Sequence, residues 1–400
     1  MFTPNPPYKE GSFYLLAGIG GLVATIGVAA AYYMEHMGHI VTNMTNQIPW
    51  GLPHVFAIFL IISASGIMMV ASIGTLFGKA VYKPRARLAC LLAISLLAGG
   101  LSVIMLDLGR ADRLPIALTH LNPSSEFGLN IIFYPTFLTL TGLYLWTLME
   151  PRMNRYSKTA DLANLIWRLA LTTGTGSIFG FIVARQAYGT AILAPMFIIS
   201  SFAWGQAIFL LMQRGLLGWS NLTLHPAVRQ RMKNLLGIYI GAVFYFVTVY
   251  HLTSHYYAKQ GDFENFILIS GGAFPMLYWG GFVLLGTLLP LVLLYHPRIW
   301  HKPGAVSAAA ALVIVGALCH LYVLIVGGQA FPMEIFPGME STSSFYDGAV
   351  EHYTPSLPEI LLSIGGFGIA FTIAIVGARA LSVLPQDNIA QLEAAGSLND

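Results

Sequence analysis

Apolar residues along this chain gather into ten runs, each close to the ~20 residues that a helix needs to cross ~30 Å of hydrocarbon. The runs lie at 12–33, 53–78, 86–108, 128–149, 161–184, 190–212, 233–257, 267–295, 303–327 and 357–384. Each predicts one transmembrane helix, so the expected fold is an all-α integral membrane protein with ten spans and nothing left over for a soluble domain. The first run is preceded by a single Lys9 and lacks a small-residue cleavage site, which reads as an uncleaved span rather than a signal peptide.

The breaks between the runs repeat. Pro53 answers to Pro195, Lys83-Pro84 to His225-Pro226, Tyr134-Pro135 to Phe274-Pro275, Glu150-Pro151-Arg152 to His296-Pro297-Arg298, and the stretch 181–188 to 324–331, all at offsets of 140 to 146 residues. Each copy would hold four spans, an even number, so both copies would sit the same way up as parallel four-helix bundles. The expected division is an N-terminal segment with the first helix (1–49), a first bundle (50–189), a second bundle (190–332), an outer cap loop (333–356), and the tenth helix with its tail (357–400).

Composition agrees with a membrane protein: 56% of residues are hydrophobic and 9% charged. Charge also sets the orientation. Fifteen of the twenty Lys and Arg fall on one side, in the N-terminus, the loops 79–87, 150–160, 213–233 and 296–302, and the C-terminus; the other side holds Arg110, Arg113, Arg185 and Lys259. Both termini are therefore expected in the cytoplasm of a bacterial or archaeal cell, with the chain in its cytoplasmic membrane. The longest outer loop, roughly 328–356, has no Lys or Arg but carries Glu334, Glu340, Asp347, Glu351 and aromatic residues, as a structured cap or docking surface would.

Two cysteines, Cys90 and Cys319, lie near opposite faces of the membrane, too far apart to pair or to share a metal. A chain with two thiols cannot hold an Fe–S cluster alone, and CxxCH is absent, so no covalent haem is expected. No metal site, phosphate loop or hydrolase signature appears, and the short basic loops give no support for nucleic-acid binding.

Polar residues concentrate at the outer membrane face, where a charge in a span costs ~2.5–3.5 kcal/mol and needs a partner or a task. Asp107 and Arg110 close the third run and, three apart on a helix, could pair. Trp50 and His54 open the second run at a similar depth. His54, Asp107 and Arg110, with Trp50 beside them, offer a quinone head group its hydrogen-bond partners, and Asp107 and His54 offer a route for the protons that accompany its electrons. Glu35, His36 and His39 could extend that route to the outer water. In the second copy His251 and His320 sit on one level ~10 Å deep, at 1.5 Å per residue, with His255 one turn outward. They could carry protons, ligate haem b, or satisfy backbone carbonyls. Arg185 could neutralise Asp107, extend the proton path, or anchor at the interface. Arg168 and Gln206, in the inner half, read as buried polar contacts or part of a proton path.

The segments Trp50-Gly51-Leu52-Pro53-His54 and Asp107-Leu108-Gly109-Arg110, on ten spans built from two four-helix bundles, resemble the NrfD/PsrC family of quinone-interacting membrane subunits. The stretch 326–338, with Ser343–Gly348 and Tyr353–Glu359, is more narrowly similar to its ten-span DsrP/Hmc-type branch of sulfur-metabolism complexes. The resemblance implies a subunit without a redox metal of its own. Such a subunit exchanges electrons between a membrane quinone, menaquinone or ubiquinone, and an extracytoplasmic ferredoxin-like Fe–S protein, itself wired to cytochrome c or other redox subunits. By motif, the family's outer quinone site maps onto His54, Asp107 and Arg110. A secondary transporter and a haem b cytochrome are the alternatives.

Overall fold

The computed structural model describes residues 10–220, 224–302, 304–333 and 348–385. Lys9, the cap residues Glu334, Glu340 and Asp347, and the tail beyond Pro385 lie outside them. Ten long helices account for the ten apolar runs: α1 (Glu10–Met37), α2 (Leu52–Thr75), α3 (Ala86–Leu106), α4 (Glu126–Met149), α5 (Ser157–Gly180), α6 (Leu193–Trp219), α7 (Pro226–Tyr256), α8 (Ala273–Tyr295), α9 (Ala305–Ala330) and α10 (Leu357–Ala380). No strand occurs among the described residues. Nine of these helices are long and apolar enough to cross a membrane. The remaining one, α5, has the length but carries Lys158, Asp161 and Arg168. It is tolerated because Asp161 and Arg168 are enclosed by neighbouring helices rather than presented to lipid.

Helices α2 to α5 close into a ring, α2 on α3, α3 on α4, α4 on α5 and α5 back on α2; α6 to α9 close in the same order. The two rings meet along α2 and α6, flanked by α5 against α6 and α9 against α2. Their common direction follows from the contacts. In α5, Thr172 meets Ser65 and Asp161 meets Ser72, so α2 and α5 are antiparallel. Gly176 lies on Ala194 and Gly180 on Thr190, so α5 and α6 are antiparallel too. Thus α2 and α6 run the same way, as a parallel repeat requires. Glycine makes that central crossing possible. A Cβ on Gly66 would overlap the Ser201 carbonyl, and one on Gly205 would overlap the backbone at Gly66 and Ile67, so the two helices touch main chain to main chain in the manner of small-residue membrane packing. Outside the rings, α10 packs on α3 and α2 and carries α1 on its far side.

One apolar run is not one helix. The segment 267–295 breaks at Gly271-Gly272, where Gly272 adopts φ +63°, a conformation open to glycine at little cost. Before the break a short helix Gly261–Asn265 passes into a π-helical turn, Phe266–Ser270; after it, α8 is π-wound over Leu277–Leu288. Hydropathy shows no interrupted span beyond the weak hints that Pro135 and Pro275 give. Of those two, α4 runs unbroken through Pro135, whereas the chain just before Pro275 is interrupted.

Candidate functional site

Because odd and even helices alternate in direction, the C-terminal ends of α1, α3, α5, α7 and α9 share one face with the N-terminal ends of α2, α4, α6, α8 and α10. At that face Gly51 precedes α2 and Pro53 occupies its first turn, where a missing N–H is harmless, and His54 follows on the inward side. Asp107 is the residue on which α3 ends, its N–H bonded to the Val103 and Ile104 carbonyls. His54 Nδ1 lies 3.1 Å from Asp107 Oδ2, with the carboxylate side chain 1% exposed and the imidazole 23%. The contact is close but not aligned as a hydrogen bond, so both Asp107 oxygens are buried polar atoms without one among the described residues. Trp50 stacks over His54 at 6.3 Å and meets Phe127 and Phe179 at 6.1 and 5.6 Å, an aromatic wall beside the carboxylate. The ring of His39 packs on the Gly109 turn, its Nε2 buried and unbonded, which brings it to the same spot. Glu35 and His36 are exposed on the last turns of α1.

Arg110 is not part of this cluster. The helix stops at Leu106 and Gly109 turns the chain at φ +68°, so the three-residue spacing from Asp107 no longer places the two on one face. The guanidinium instead donates to Asp112 at 3.1 and 3.2 Å, with both side chains exposed. Those bonds hold the Asp112 carboxyl below the usual carboxylate range.

Arg185 is committed elsewhere too. It donates to the Gln329 carbonyl at 2.8 Å and the Gln47 carbonyl at 2.7 Å, joining the two bundles and the α1–α2 connection, and burial lowers its pKa. Gln329 accepts from the Trp50 N–H at 3.1 Å and donates to the Trp50 carbonyl at 3.0 Å. Tyr353 accepts from the Leu52 N–H and donates to Glu359, which also caps α10 through the Ser356 N–H. Burial first, then the Glu359 hydrogen bond, pushes the Tyr353 phenol up. With its guanidinium committed to those two carbonyls, Arg185 does not meet Asp107.

The second bundle has its own pair. His251 Nδ1 is hydrogen-bonded to Glu264 Oε2 at 2.8 Å, both buried. His320 is also buried and lies against Phe282 at 4.7 Å, while His255 is exposed. Between His251 and His320 is a cavity of about 10 Å³, room for one water and far too small for a porphyrin, so these residues do not fit haem b. No group of three metal-ligating side chains occurs among the described residues.

Below the outer cluster, bundle one is threaded by polar side chains. Arg168 Nη2 donates to Ser72 Oγ at 3.1 Å and Ser72 donates to Asp161 at 2.7 Å; Thr75 and Tyr144 hydroxyls are 2.6 Å apart, and Asn164 donates to Thr141 at 2.8 Å. Gln206, in α6, donates to the Met232 carbonyl at 3.2 Å and is apart from this chain of bonds. Sequence reasoning picks out Arg168 but misses Asp161, although Asp161, Asn164, Arg168, Thr172 and Thr175 recur at three- and four-residue steps, the signature of one helix face. It misses Glu264 as well, and periodicity carries no signal for that residue, because the chain turns between Tyr256 and Gly261.

Comparison with known proteins fits this architecture. Residues 40–333 match the family described as polysulphide reductase, NrfD. The chain belongs to that family and is an integral, multi-pass membrane protein. Similar proteins over nearly full length include the Hdr-like menaquinol oxidoreductase integral membrane subunit of Archaeoglobus fulgidus, 24% identical over 376 residues and 94% of each chain. A putative dimethyl sulfoxide reductase membrane subunit of Halobacterium salinarum is 26% identical, covering 91% of this chain and 90% of that one. A selenate reductase subunit of Mesobacillus selenatarsenatis is 21% identical, covering 90% and 92%.

Proposed function

We propose that the chain is the membrane subunit of a quinol-linked redox complex and receives a quinone head group between His54 and Asp107, with Trp50 along its face. The observation that carries this is the buried Asp107 carboxylate, which lies against His54 and whose oxygens accept no hydrogen bond among the described residues. A buried carboxylate left in that state is costly unless a ligand donates to it. The residues fit a quinol, which supplies two hydroxyl donors and a flat ring, and brings two electrons and two protons. Asp107 accepts a hydroxyl proton, His54 holds Asp107 in place and offers a partly exposed edge for passing the proton outward, and Trp50, Phe127 and Phe179 keep water from the ring face. His39 is placed to continue the route, with Glu35 and His36 beyond it.

The name of one relative, a menaquinol oxidoreductase membrane subunit, supports a quinol as the electron carrier. With two cysteines the chain lacks the thiolates for a cluster, so the electrons pass to a partner, in this reading an extracytoplasmic Fe–S subunit docking on the 333–356 cap and leading to cytochrome c or another redox subunit. A photoreactive quinone analogue tests the site. Labelling at Trp50–His54 and Asp107–Arg110, competed by quinol, is expected; labelling confined to the neighbourhood of His251 and His320 would move the site to the second bundle.

This reading places the shared face outside the cytoplasm and both termini inside, in a bacterial or archaeal cytoplasmic membrane, because Lys and Arg favour the opposite face. A reporter fused after Asp400 should behave as cytoplasmic. Activity of an exported reporter at that position would put the His54–Asp107 pair on the wrong side.

A further inference from the structure

Three stretches of π-helix occur among the described residues, Phe266–Ser270, Leu277–Leu288 and Val323–Gly327, and all three converge on one place in the second bundle. Ile267 from the first, and Val323 and Leu324 from the third, line the small cavity together with Tyr250, His251, Phe263 and His320. Tyr278, from the second, sets its ring 4.7 Å from His251. Local π-winding is an unfavourable use of the backbone that recurs at functional sites. Here it shapes the walls around a histidine.

His251 stands between the cavity and Glu264. Its Nδ1 is bonded to Glu264 Oε2, while Glu264 Oε1 is buried without a hydrogen bond among the described residues. Across the cavity, His320 is 3% exposed and no hydrogen bond engages its ring among the described residues. The other titratable groups facing the pair are phenols, Tyr250 from α7, with Tyr188 beyond it, and Tyr278 from α8. Tyr250 is already spent on the Ala187 carbonyl. No Lys or Arg forms an ion pair with Glu264 among the described residues.

A neutral imidazole beside a carboxylate carries a net negative charge. In an apolar wall with no cation, burying that charge is far less favourable than burying an overall neutral, hydrogen-bonded pair. One added proton brings the pair to neutrality. The cavity matches a single water, which needs two or more polar partners, and His251 and His320 supply them.

We propose that His251 and Glu264 form a buried proton-binding site that takes up and releases one proton through a water held between His251 and His320. The water delivers the proton to the imidazole nitrogen not bonded to Glu264, Nε2, so that the Nδ1–H···Oε2 bond then joins an imidazolium to a carboxylate; on release Nε2 returns the proton to the water, and no electron or co-reactant is involved. The site is separate from the His54–Asp107 cluster and does not depend on the quinol reading.

Infrared difference spectra of the full chain in lipid vesicles, stepped in pH in H2O and D2O without added quinone, test this directly. Deuterium-sensitive imidazole and carboxyl bands should change together at one midpoint. Glu264→Gln should remove the carboxyl component and displace the ring midpoint, and His320→Leu should displace the joint midpoint by about one pH unit, a tenfold change in proton affinity. Should Glu264→Gln fail to insert, Glu264→Asp should displace the carboxyl band and its midpoint. Spectra in which no titrating band responds to substitution at Glu264, or in which His320→Leu leaves the midpoint unmoved, would overturn the proposal. Because quinone is omitted, such a failure would leave the His54–Asp107 reading untouched.

Discussion

Asp107→Asn is expected to lower quinol-dependent electron transfer by about 10²–10⁴-fold, the usual worth of a positioned acid or base, while the complex still assembles. The exchange is nearly isosteric at the residue that ends α3, and the backbone bonds to Val103 and Ile104 do not depend on the side chain. What is lost is the anionic acceptor beside His54. Arg110→Ala provides the contrast, since its guanidinium is exposed and spent on Asp112. That change should stay within about fivefold, the kinetic equivalent of the ~1 kcal/mol ceiling for an exposed pair. If the Asp107→Asn complex turns over quinol at the wild-type rate, Asp107 serves only to end its helix, and the quinol binds elsewhere.

Arg168→Met should destabilise the protein by about 3–5 kcal/mol, the range for removing one partner of a buried charge network. Arg168 and Asp161 are both fully buried and are linked through the Ser72 hydroxyl. Without the guanidinium, Asp161 remains as an uncompensated charge among α2, α4 and α5. Adding Asp161→Asn should recover most of the loss, because the two substitutions act on one interaction. Thermal unfolding in detergent of the single and double variants checks this: strictly additive losses would show that the two side chains are stabilised independently.

The fold is legible in the sequence because its signal is repeated and one-dimensional. Runs of apolar residues the length of a bilayer define helices without help from tertiary structure, and matched prolines mark where they stop. The helix ends are read less well, since α1, α6 and α7 extend past their apolar runs by several residues whose backbone bonds need no lipid. The break at Gly271-Gly272 escapes notice because hydropathy does not register backbone conformation. At the outer face, depth alone brings His54 and Asp107 together, and that pairing is what the structure has. Depth fails for Arg110, where the chain has already left the helix, and for Arg185, whose partners are carbonyls that no side-chain pattern announces. Glu264 reaches His251 only through a turn, so neither period nor depth could match them.

The contact between Gln329 and Trp50 also constrains what either position can become. A side-chain amide that accepts from one N–H and donates to the carbonyl of the same residue imitates a single rung of an antiparallel ladder, set between two helical bundles. Such a rung reads main chain and is blind to the residue it clasps. The clasp itself therefore places no demand on the side chain at position 50, and the indole answers instead to the rings of His54, Phe127 and Phe179 around it. Position 329 has no such latitude. Glutamate would lose the donor and methionine both functions, so this clasp, which works alongside the α2–α6 crossing and the Arg185 bonds, depends on a single amide group.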